Sequence, residues 1–77
     1  MVENREFDAF ARRIVRAYAA RVAQGDIEAL PALLGLAVAV DQALSDAVAG
    51  LRGFGYSWAD IAQRLGVTKQ AAQKRRG

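Results

Sequence analysis

Apolar residues recur every third or fourth position through the first part of the chain. Phe7, Phe10, Ala11, Ile14, Tyr18 and Val22 form one stripe on a 3.6-residue period, which predicts a helix from about Asn4 to Gln24. Arg5, Arg12, Arg13 and Arg16 lie mostly off that stripe. Gly25 is a natural stop, since glycine accepts a left-handed backbone at little cost. Asp26 is then placed to cap the next element with its carboxylate.

The helical pattern resumes at Ile27 and runs to Arg52, with Pro31 inside it. Proline lacks an amide hydrogen and clashes with the preceding turn, but it suits the first turn of a helix. The region therefore splits into a short turn, Ile27 to Leu30, and a long helix, Pro31–Leu51. The apolar face of that helix is broad: Leu33, Leu34, Leu36, Ala37, Val40, Leu44, Ala47, Val48 and Leu51. Asp41, Gln42, Ser45 and Asp46 form its wet side. Gly35, which costs about 1 kcal/mol relative to alanine in a helix, either admits a close approach by the first helix or has no role. The longest apolar run, Leu30–Val40, is 11 residues and is interrupted by Pro31 and Gly35. It falls short of the roughly 20 residues that cross a bilayer and is expected to be a buried core helix. Gly53, Phe54 and Gly55 then break the pattern as a helix stop and turn, with Phe54 expected to plug the core.

Composition agrees with an all-α fold. Apolar residues are 53% of the 77 while aromatics are only 8%, and most of the difference is Ala, Val and Leu. Ala and Leu are strong helix formers. A chain this short buries only about 60% of its unfolded surface, so it needs efficient helix packing, a partner subunit, or both. There is no Cys and no His, which removes disulfides, thiolate sites, the usual general base and the commonest metal ligand. No signal peptide is evident in the mixed, charged stretch Met1–Phe10, and a cytoplasmic location is expected.

Catalysis fails on inventory. No carboxylate pair stands beside a nucleophile, Ser45 and Ser57 have no base, and Gly53, Gly55 and Gly66 match no phosphate-cradling spacing. The expectation is a protein that is not an enzyme and has no metal or cofactor.

Charge changes the picture further. Residues 1–50 carry Arg5, Arg12, Arg13, Arg16 and Arg21 against seven acids, a net of −2. Residues 51–77 carry Arg52, Arg64, Lys69, Lys74, Arg75 and Arg76 against Asp60 alone, a net of +5. A basic segment at one end is the footprint of a phosphate-binding surface. Arg12, Arg13 and Arg16 are read as a solvated face or as partners for Glu6 and Asp8.

The basic end has its own pattern, Tyr56-Ser57-Trp58-Ala59-Asp60-Ile61-Ala62-Gln63-Arg64-Leu65-Gly66-Val67-Thr68-Lys69-Gln70-Ala71-Ala72-Gln73-Lys74-Arg75-Arg76. Ser57 reads as an N-cap with Asp60 closing an aspartate version of the capping box. Trp58, Ile61, Ala62 and Leu65 make the inner face of a short helix, with Trp58 and Tyr56 taken as packing residues rather than base-stacking ones. Gly66 ends that helix, Val67 fills the turn, and Thr68 caps another helix from Lys69. Ala62, Ala71 and Ala72 are small enough to let two crossing helices approach. Thr68, Lys69, Gln70, Gln73 and Lys74 remain outside as donors and acceptors.

This stretch resembles the helix-turn-helix of sigma-factor region 4 and of small bacterial regulators, and is similar to actinobacterial helix-turn-helix proteins. It covers a little over a quarter of the chain. Periodicity and composition predict an all-α domain of four main helices over residues 1–77, in which 1–52 packs or dimerises through its broad apolar faces, and the resemblance implies that 56–76 binds DNA. Trp58–Leu65 would support Lys69–Arg76, whose N-terminal residues would enter the major groove. Gln70 and Gln73 would read bases, Lys69 a guanine or a phosphate, and Thr68, Arg64, Lys74, Arg75 and Arg76 would hold phosphates. One departure stands out. Arg75 occupies a position where such motifs place an apolar residue, so either the last helix is short or its register differs by one.

Three readings follow. The first is a transcriptional regulator that binds double-stranded DNA as a homodimer through its N-terminal helices. The second is an interaction module that docks on RNA polymerase, a sigma factor or another regulator. The third takes the sequence as part of a longer protein. None calls for a membrane.

Overall fold

The computed structural model describes residues 3–77; of the stretch Met1–Phe10, Met1 and Val2 lie outside the described residues. Those described are all-helical, with no strand among them. The elements are α1 (Asn4–Ala23), a 3-10 turn (Ile27–Ala29), α2 (Leu30–Gly53), α3 (Trp58–Leu65) and α4 (Lys69–Arg76). The chain divides into two units, Met1–Ala37 and Val38–Gly77, with the boundary inside α2 rather than at the glycines that follow it.

In the first unit, α1 closes with the Gly25 amide on the Val22 carbonyl and Gly25 at φ 116°. Asp26 makes no side-chain cap, contrary to expectation. Its ψ of 70° is not the extended backbone of an N-cap, and its carbonyl accepts the Ala29 amide instead. Pro31 sits in the first turn of α2, which begins one residue earlier than the pattern predicts. Nothing lies within 4 Å of a Cβ built on Gly35, so the glycine serves no close approach by α1. Arg12 pairs with Asp8 at 2.9 Å along α1, one of the acid partners expected for it.

Burial in this unit departs most from expectation. No described residue of it is buried. Tyr18, Val22, Ala29, Leu33 and Leu36 are half-buried, while Phe7, Phe10, Ile14 and Leu34 are exposed. The apolar run of α2 is thus not a buried core helix. Two helices can cover only one side of each other, and this apolar face is wider than that. The helical stretch Ile27–Gly53 is in fact long and apolar enough, by length and composition, to cross a membrane. The 11-residue run understated it because the helix continues past the polar positions.

The second unit gathers the C-terminal part of α2 with α3 and α4. Its buried residues are Val48, Ile61, Ala62 and Ala72. Three of these four are found where short helices approach closely, and two are alanines, as a crossing of thin helices requires. The end of α2 is closed by backbone alone: Tyr56 N–H donates to the Leu51 carbonyl and Gly55 N–H to the Arg52 carbonyl, with Gly55 at φ 102°. This is the paired bonding of a Schellman motif, with Gly55 as its left-handed residue. Gly53 is therefore still helical, and Phe54 is 88% exposed instead of plugging the core.

Candidate nucleic-acid interface

The candidate surface is built from two short helices and the turn between them. Ser57 adopts an extended backbone, its Oγ accepts the Asp60 amide at 3.0 Å, and Asp60 Oδ2 accepts the Ser57 amide at 3.1 Å. That reciprocal pair is the capping box the sequence predicts. The backbone and side-chain hydrogen bonds of Ser57, helped by Arg64, hold the Asp60 carboxyl below its ordinary value. Trp58 follows the cap, half-buried, with the Arg52 guanidinium 5.3 Å from its ring centroid.

The end of α3 repeats the closure used by α2. Val67 N–H donates to the Ala62 carbonyl, Gly66 N–H to the Gln63 carbonyl, and Gly66 takes φ 72°. The chain then extends at Thr68, whose Oγ1 accepts the Ala71 amide at 3.1 Å and caps α4. Leu65 and Val67 are not sealed inside. With Leu44 and Ala71 they line an open groove of about 450 Å³.

On α4, Ala72 is buried and Arg76, four residues on, has a side chain only 9% exposed. One face of the helix therefore looks inward through positions 72 and 76. Gln70 and Lys74 fall on the opposite face and Gln73 on the flank between, all three exposed, with Thr68 and Lys69 exposed at the N-terminal end. The structure thus places seven of the eight expected residues on one helix and its cap, six of them exposed. Arg64 lies on α3, where its Nη1 donates to the Asp60 carbonyl and to Gln63 Oε1.

The last two arginines part company. Arg75 is 72% exposed and 3.6 Å from Asp41. Arg76 donates from Nη1 to Asp41 Oδ1 at 2.9 Å, to the Asp41 carbonyl at 3.1 Å and to Ser45 Oγ at 3.2 Å. The register is therefore one residue later than the apolar position assigned to Arg75, and the inward residue is still an arginine. The Arg76 hydrogen bond, with the charge of both arginines, holds the Asp41 carboxyl below its ordinary value. Asp41 and Ser45 were readable only as the wet side of α2. Their four-residue spacing puts them on one face, but no local signal ties them to a residue 35 positions away.

Charge divides along the two units. In Met1–Ala37 five arginines meet five acids (Glu3, Glu6, Asp8, Asp26 and Glu28). In Val38–Gly77 six basic residues meet Asp41, Asp46 and Asp60, so the whole net charge of +3 resides in the unit that carries α3 and α4. No protein-family model matches the chain, and no curated protein or solved structure matches it significantly.

Proposed function

We propose that α3 and α4 are a helix-turn-helix through which the protein binds double-stranded DNA in a sequence-specific way, as a transcriptional regulator. The observation that carries this reading is the exposed polar face of Gln70, Gln73 and Lys74 on a capped helix, in a unit of net charge +3. Glutamine bonds adenine in a bidentate manner in the major groove. Lysine supplies the sequence-independent attraction to phosphates. Binding to duplex DNA at a series of salt concentrations tests the reading. Affinity should fall with a log–log slope of about −0.9 per phosphate contacted. Absence of binding at low salt defeats it.

The regulator acts as a homodimer in this proposal. One helix-turn-helix makes few base contacts, and two-fold pairing doubles them on half-sites about one helical turn apart. Support comes from the first unit, which leaves Phe7, Phe10, Ile14 and Leu34 in solvent and balances its charges, so that two copies do not repel. The same apolar helix satisfies the composition of a membrane span. Asp41 and Asp46 favour a protein partner instead, because a charge near the centre of a spanning helix costs about 2.5–3.5 kcal/mol. Sedimentation without detergent should show a dimer at tens of micromolar. A monomer, or transfer of the chain into lipid vesicles, rules this part out.

One observation favours a second reading, docking on RNA polymerase, a sigma factor or another regulator. Phe54 stands 88% exposed at the turn before α3, and an aromatic ring in water suits a protein surface better than a phosphate backbone. Loss of RNA polymerase binding on Phe54→Ser, with DNA binding intact, would favour it.

A further inference from the structure

Arg76 is the least exposed charged side chain among the ion-paired residues, at 9%, although its neighbour Arg75 is 72% exposed. A guanidinium tucked against protein has traded its hydration for fixed acceptors, and here there are three. Asp41 Oδ1, the Asp41 carbonyl and Ser45 Oγ lie 2.9, 3.1 and 3.2 Å from the one nitrogen Nη1 and share its two N–H donors. Asp41 and Ser45 are one helical turn apart on α2, so together they form a receptor on a single face of that helix.

The helix on which Arg76 lies is eight residues long. A helix that short does not hold itself and depends on what it docks against. Its apolar contribution is slight, because Ala72 is its one buried residue. The remaining inward position, one turn later, is Arg76. The N-terminal end of α4 is thus set by the Thr68 cap and Ala72. Its C-terminal end is set by a polar clamp at the place where a motif of this kind would use an apolar side chain.

We propose that Arg76 is a positioning residue: clamped by Asp41 and Ser45, it sets the angle of α4 and hence of Gln70, Gln73 and Lys74, and it does not itself hold a phosphate. The inference rests on the DNA-binding reading and deepens it. It makes Asp41, an acidic residue on a different helix, a determinant of DNA recognition. The two roles open to Arg76 predict opposite signs for one substitution. If Arg76 served the phosphates, Asp41→Asn would remove a competing negative charge and tighten binding to every duplex. If Arg76 is the clamp, Asp41→Asn loosens α4 and weakens binding to the preferred site.

The test uses the full chain and two duplexes, one selected by the wild-type protein from a random library and one of random sequence. Asp41→Asn and Arg76→Gln should each lose about tenfold on the selected duplex while changing little on the random one. Ser45→Ala, which removes a single acceptor, should lose less and guards against a variant that fails to fold. The salt slope of Arg76→Gln should match that of the wild type, whereas a lost phosphate contact lowers it by about 0.9. The double variant should be no weaker than either single one, as for two partners in one interaction. A readout independent of DNA is amide exchange of Ala71–Arg76, together with fluorescence of Trp58, the single tryptophan; its Cζ2 lies 3.5 Å from where a Cβ on Gly77 would sit. Both should change in Asp41→Asn. Tighter binding by Asp41→Asn, or unchanged exchange over α4, overturns the clamp. Failure of the wild-type chain to bind any duplex, with faster exchange in the variants, overturns the DNA-binding reading and leaves the clamp standing.

Discussion

The guanidinium of Arg52, in the last turn of α2, lies 5.3 Å from the ring centroid of Trp58, the first residue of α3, and its Nη1 donates to the Tyr56 carbonyl at 3.0 Å. One side chain thus ties the end of a helix to the turn that follows and to the aromatic that opens the next. A partly exposed cation–π contact contributes about 0.5–1 kcal/mol. Arg52→Ala should lower unfolding stability by that order in urea titration and shift the Trp58 emission. An unchanged emission would show that the stacking does not persist in solution.

Acid should weaken the second unit from one side only. Asp60 and Asp41 both have carboxyls held below their ordinary 3.8, the first chiefly by the Ser57 amide and the second chiefly by the Arg76 hydrogen bond. A group whose folded value is depressed adds stability above its unfolded value and loses it as pH falls through the folded one. With no histidine in the chain, stability should be nearly flat between about pH 6 and 8 and should decline below about pH 4. Asp60→Asn should reduce that acid-dependent decline. Thermal melts across the acid range measure both.

Two glycines should respond with opposite sign to alanine. Gly66 has φ 72° and open space around its missing Cβ, so Gly66→Ala is strained by backbone alone, at about 1–2 kcal/mol. Gly35 lies within α2 with nothing inside 4 Å, and Gly35→Ala should stabilise by up to about 1 kcal/mol. Denaturant midpoints for the pair decide this, and a loss at Gly35 would reveal a close neighbour supplied by another copy.

Gln70 and Lys74 share the exposed face of α4 but should fail differently. Gln70→Ala should cost about 1–3 kcal/mol at one base position and relax sequence preference there. Lys74→Ala should weaken all duplexes alike and lower the salt slope by about 1. Equal losses on selected and random DNA for Gln70→Ala contradict its role in base reading.

Leu34 tests the proposed dimer. It is 67% exposed, so Leu34→Glu has little packing to lose within the chain. Placed in an apolar interface, the carboxylate would be buried without a partner. The variant should therefore sediment as a monomer while keeping its helical circular dichroism, and it should bind a two-half-site duplex more weakly. A Leu34→Glu dimer as tight as the wild type would place the interface elsewhere.

What the sequence determined by itself was local. Helix periods, the Ser57–Asp60 box, the Thr68 cap and the left-handed Gly66 are each set by neighbours within about one turn, where residue type alone decides which backbone bonds are available. The same is true of the all-α class and of the basic C-terminal end. Only the tertiary structure decided which side of each helix is covered. It left the apolar run of α2 largely in solvent, put Phe54 outside a turn that closes through its own backbone, and turned Arg76 rather than Arg75 inward. Burial depends on what arrives from far along the chain, and the partner of Arg76 is 35 residues away. A one-residue change of register moves a side chain by about 100° around a helix, so an end-of-helix arginine could be placed on the solvent side or the protein side only once Asp41 and Ser45 were seen beside it.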